Sequence, residues 1–94
     1  MLFLVISTPR PERPSTVAAQ RQAFWKWLAL KQKAKKALWA YARAGRGLVT
    51  VFDVRSHEEL HAFLNEWAEI IPAHFEVLPL VDPAKAKRYL KAKK

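Results

Sequence analysis

Apolar residues run or alternate through four short segments of this chain and recur at helical spacing through two longer ones. The clearest pattern lies between positions 48 and 80. Leu48 to Val54 is rich in β-branched and apolar residues and reads as a strand. Ser56 with Glu59 three residues on makes a capping box, in which the hydroxyl and the carboxylate each satisfy an otherwise orphan backbone N–H. A helix therefore starts at Ser56. Leu60, Phe63, Leu64, Trp67, Ile70 and Ile71 then share one face of a 3.6-residue period, and Pro72 ends it. His74 to Leu80 is a further extended run, in which Pro79 marks a place where a ladder can spare an N–H.

The first half repeats the plan. Leu2 to Ser7 is apolar on both faces, with Leu2, Leu4 and Ile6 on one and Phe3 and Val5 on the other. A proline-punctuated loop, Thr8 to Pro14, leads to Ser15 or Thr16 as the cap of a helix running to about Ala34. Its wheel puts Val17, Phe24, Trp27 and Leu28 toward a sheet and Gln22, Lys26 and Lys33 toward water. Lys36 to Arg43 alternates Leu38, Ala40 and Ala42 with Trp39, Tyr41 and Arg43, a strand, and Gly45-Arg46-Gly47 turns it into the next. The predicted order is β-α-β-β-α-β. That is an α+β, ferredoxin-like arrangement over residues 1–81: a four-stranded antiparallel sheet with both helices on one face. Asp82-Pro83 resembles a cap with Pro at the first helical position, opening a short basic helix and tail over 82–94 that Tyr89 and Leu90 dock and that frays from Lys91.

Two helices cover one face of such a sheet, yet Leu2 to Ser7 and Leu48 to Val54 are apolar on both, and Trp39 and Tyr41 sit on the face that Leu38 leaves. The economical cover is the same sheet from a second copy, so a homodimer with sheets face to face is expected. It is open to further assembly.

Charge changes the picture. The formal net charge is +9, but positions 10–46 hold ten Lys/Arg against Glu12, 47–81 hold Arg55 against six acids, and 82–94 hold six bases against Asp82. Such a split suits an anionic partner. In the first helix Gln20, Arg21 and Lys31 fall within or beside the apolar arc, where an unpartnered polar group costs about 1–3 kcal/mol. Either they snorkel from the helix margins or they border a cavity that holds an anionic ligand. With no cysteine, disulfide and thiolate chemistry are excluded. No apolar run reaches the ~20 residues of a membrane span and no leader is recognisable, so a cytoplasmic protein without a membrane partner is expected.

MLFLV at the start, Leu38-Trp39, VFDV (51–54), Ser56 to His61 and the PAHFEVLPL segment (72–80) together resemble the muconolactone δ-isomerase family over roughly residues 1–81. The resemblance implies a dimeric α+β barrel. It also implies a cofactor-free proton shift within a small anionic unsaturated lactone acid of aromatic catabolism. Such a reaction needs a base, an acid and cations for the carboxylate. The family carries carboxylates on its first helix, where positions 15–36 here have none. The proton-transfer roles then fall to Lys31, to His61 of the family's S-x-E-x-L-H pattern, or to Tyr41, with Gln20, Arg21, Trp39 and His74 as ligand contacts and no metal or cofactor. The competing readings are a non-catalytic ligand-binding or structural barrel protein and, less favoured, a nucleic-acid platform of sheet aromatics beside basic residues. The string His57-Glu58-Glu59-Leu60-His61 spells the zinc protease motif, but His57 falls in the capping turn and Glu59 is taken by the cap.

Overall fold

The computed structural model describes residues 1–92. Its elements are β1 (Leu2–Pro9), a 3₁₀ turn (Pro14–Val17), α1 (Ala18–Lys33), β2 (Ala37–Ala42), β3 (Leu48–Asp53), α2 (His57–Ile70), β4 (Ala73–Leu80) and α3 (Pro83–Ala92). The sheet is antiparallel with strand order β2-β3-β1-β4, the ferredoxin-like fold the periodicities predict.

Register decides which face is which. The pairs Phe3 with Phe52 and Val5 with Thr50 lie on the covered face, and Leu4 with Val51 and Ile6 with Val49 on the other. Phe52, Val5 and Thr50 are fully buried there, under Phe24 and Leu28 of α1 and Leu60, Phe63 and Trp67 of α2. Trp67 is the aromatic hub, with ring centroids 4.9 Å from Phe24 and 5.0 Å from Phe75. α2 starts as the capping box requires: Ser56 Oγ accepts from Glu59 N at 3.1 Å, and Glu59 Oε1 accepts from Arg55 N at 2.9 Å. The Arg55 N–H is the main reason the Glu59 carboxyl titrates below its ordinary value, with Lys36 Nζ at 3.2 Å adding to it.

Several expectations are corrected. Ser15 and Thr16 do not cap α1: Pro14 starts a 3₁₀ turn that contains both, and Val17, with no side-chain bond, stands at the cap. β1 runs on to Pro9 rather than stopping at Ser7, because β3 pairs only as far as Ile6 and leaves the later residues a free side that needs no N–H. The period of two in β2 is broken by a bulge between Ala37 and Trp39. Ala37 takes the buried place and Leu38 is half exposed. In the hairpin Gly47 (φ 106°) and Arg46 (φ 86°) take positive φ, and Gly45 does not.

α3 begins as expected, with Asp82 Oδ1 accepting from Ala84 N at 2.8 Å. Among the described residues it packs only weakly against the other elements, and Tyr89 and Leu90 remain 62% and 68% exposed. The helix continues through Lys91 and Ala92, and the remainder of the expected frayed tail, Lys93 and Lys94, lies outside the described residues. Among the described residues no helix is long and apolar enough to cross a membrane.

Candidate functional site

Two cavities open side by side at one end of the helical layer. The larger, about 340 Å³, lies between the start of α1, the end of β1, the β2–β3 hairpin and the last turns of α2. Its lining combines the aromatic side chains of Phe24, Trp25 and Trp67 with the polar ones of Ser7, Arg21, Arg43 and Arg46. No carboxylate lines it. The smaller, about 260 Å³, is bordered by Arg10, Glu12, Gln20, Arg46 and Glu69 together with Pro9, Val17 and Ile70 to Pro72.

Each polar group is placed by a local feature. Ser7 continues the Phe3, Val5 alternation of β1 and is buried, its Oγ accepting from Leu48 N at 2.9 Å. Arg43 follows β2 and donates from Nη1 to Ser7 O at 3.0 Å and Thr8 Oγ1 at 2.9 Å, tying the hairpin to the end of β1. Arg46 sits at the turn between the glycines and donates from Nη1 to Glu12 O. Its buried Nε has no hydrogen-bond partner among the described residues. A guanidinium N–H left so is costly unless an acceptor arrives. Arg21 enters from the first turn of α1, half-buried.

The arrangement suits a small flat anion: rings stack on the aromatic side chains while guanidinium groups, permanently charged, take oxyanions in bidentate fashion. Arginines cannot carry protons in a reaction at neutral pH, so this cavity binds and polarises but supplies no base.

The residues named from the sequence separate into three places. Arg21 borders the larger cavity and Gln20, exposed rather than turned to the sheet, borders the smaller. Lys31 borders neither. Its ammonium lies 4.5 Å over the Phe63 ring and 5.6 Å from that of Trp27, 3.4 Å from Glu66 Oε1, which also accepts from Trp27 Nε1 at 2.8 Å. This is a cation snorkelling between the helices. Trp39, Tyr41 and His74 share the helix-free face, as their pairing with Val51, Val49 and Thr8 requires, and the two aromatic rings are 5.7 Å apart. His61 is exposed on α2. His57 packs edge-on to Phe3 at 5.6 Å, and among the described residues no three His, Cys, Asp or Glu gather as a metal site.

Arg43, Arg46, Ser7 and Glu69 were not singled out by sequence. Two signals pointed to Ser7 and Arg46: a serine in the buried phase of an apolar strand, and an arginine between two glycines in a tight turn.

The helix-free face is apolar and open: Trp39, Leu78 and Leu80 are 42%, 42% and 39% exposed. Val51 beside them is buried by its neighbours alone.

A family model described as a domain of unknown function (DUF3303) matches residues 1–94. No curated protein matches the sequence. Among solved structures, the fold is similar to that of 5-chloro-2-hydroxyhydroquinone dehydrochlorinase from Burkholderia phenoliruptrix AC1100, in complex with 2,5-dihydroxybenzoquinone. The TM-score is 0.71 and the identity 18%, over 90% of this chain and 98% of that one. At that identity the likeness is one of fold.

Proposed function

We propose that this chain, which belongs to the DUF3303 family, takes a small planar unsaturated anion into the arginine-lined cavity and shifts a proton within it without a cofactor. A lactone acid of the muconolactone kind is the expected substrate class. The observation that carries the reading is the larger cavity itself, lined by three arginines and three aromatic side chains, with no carboxylate among the described residues in its lining. The sequence resemblance supports the chemistry. The neighbour's named substrate and bound quinone, both small oxygenated rings, support the size and shape.

Binding is tested by titrating tryptophan fluorescence with a γ-lactone acetate that carries a ring double bond, at moderate salt, since Trp25 and Trp67 line the cavity. Saturable quenching is expected, weakened about tenfold or more in Arg21→Gln, because a hydrogen bond to a charged group is worth about 1.5–3 kcal/mol. A single-stranded RNA that binds more tightly, with affinity falling steeply as salt rises, would replace this reading by the nucleic-acid one.

The reading includes a homodimer formed through the helix-free face, where Trp39, Tyr41, Leu78 and Leu80 are otherwise wetted. Tyr41 and His74 then lie at the seam between the copies and not in the solvent. Sedimentation equilibrium is expected to give twice the chain mass of 10.9 kDa. A single-chain mass at micromolar concentration would leave that face without its cover.

A further inference from the structure

We infer that Glu69, in the last turn of α2, is the group that takes and returns the proton, working from the smaller cavity on a substrate anchored in the larger. This rests on the function proposed above and names the residue that its chemistry lacks. In the larger cavity every charged side chain is an arginine, and none of those trades protons near neutral pH. The two cavities share Pro9, Val17, Arg46 and Ile71 in their walls, so they adjoin. The acids on that border are Glu12 and Glu69. Glu12 is engaged by Arg10 at 3.6 Å, whereas no ion pair among the described residues includes Glu69.

Two further features mark the position. A carboxylate in the last turn of a helix opposes the helix dipole, and α2 has no basic residue there to offset it. Second, Arg46 borders both cavities, so one permanent cation is common to the substrate's cavity and to that of Glu69.

The step balances without a co-reactant. The Glu69 carboxylate removes a proton from the carbon at one end of the conjugated lactone. The C–H electron pair moves through the double bond onto the carbonyl oxygen, beside Arg46. The Glu69 carboxylic acid then returns the proton to the carbon at the other end, and the double bond has moved with nothing gained or lost.

The test uses the full chain in deuterium oxide with the unsaturated γ-lactone acetate, following deuterium entry by proton NMR and binding by tryptophan fluorescence. Glu69→Gln is expected to slow exchange about 100-fold or more while binding changes less than about twofold, the range for loss of a general base. Glu69→Asp, keeping the carboxylate one methylene shorter, is expected to retain measurable exchange. Exchange at the wild-type rate in Glu69→Gln, with binding intact, overturns the role of Glu69 and leaves the proposed function standing. Wild-type protein that binds the lactone and exchanges nothing overturns this inference and the proton shift, but not the binding site. Failure of wild-type protein to bind overturns both.

Discussion

Phe52→Ala is expected to lower the unfolding free energy by about 3–5 kcal/mol, the range for emptying a large aromatic from a core. Phe52 is fully buried at the middle of the sheet, opposite Phe3 on β1 and Ala37 on β2, with the rings of Phe63, Trp27 and Trp67 at 5.7, 6.4 and 6.4 Å. It is therefore a side chain on which both helices and the central strands converge. Small domains hold about 5–15 kcal/mol in all, so about a fifth or more of the stability goes with this ring. Urea unfolding followed by circular dichroism reads the loss as a shift of midpoint at constant slope. Leu30→Ala, at a position 65% exposed on the outer side of α1, is the comparison and should move the midpoint little. A loss below about 1.5 kcal/mol for Phe52→Ala would mean that the core is not centred there.

Gly47→Ala is expected to be the most damaging single-methyl change in the chain. Its φ of 106° is a conformation that L side chains rarely adopt, and a Cβ at that position would stand 2.2 Å from Ser7 O. Backbone strain of about 1–3 kcal/mol adds to a similar cost for pushing packed backbone aside. The Ser7 carbonyl has little room to retreat, since Arg43 Nη1 holds it at 3.0 Å and the Ser7 side chain is itself bonded to Leu48. The same methyl at Gly45 meets nothing within 4 Å, so Gly45→Ala should leave stability within about 0.5 kcal/mol. Equal midpoints for the two variants would sink this account of the hairpin. Because Gly47 also borders the larger cavity, Gly47→Ala should weaken lactone binding along with the fold.

The contrast between these glycines shows where the sequence can be read and where it cannot. The strands and helices were legible because each carries its own period, and α2 was legible to the residue because Ser56 and Glu59 are a local device. The open apolar face was also legible, as more apolar strand than two helices can hide. What escaped was whatever depends on residues far apart in sequence. The union of Ser7 with Arg43 joins positions 36 apart, and nothing in either segment announces the other. Which glycine takes the positive φ depends on how β1 ends against the turn, not on the string Gly-Arg-Gly. Lys31 was correctly placed at the margin of the apolar arc, but its pairing with Glu66 needs the packing angle of α1 on α2, which periodicity does not carry. The site residues divide along the same line: Arg21 was visible on a wheel, whereas Arg46 and Glu69 become neighbours of one space only after the chain has closed.

The C-terminal helix, only weakly packed on the rest of the fold, affects any measurement of size. The radius of gyration is 15.4 Å and the longest dimension 57 Å, against about 12 Å for the radius of a tightly folded chain of this length. A column that sorts by drag will overestimate the mass of one such molecule, so the number of copies has to come from equilibrium mass. Removing residues 83–94 should make the particle migrate as a smaller body by more than the weight it loses.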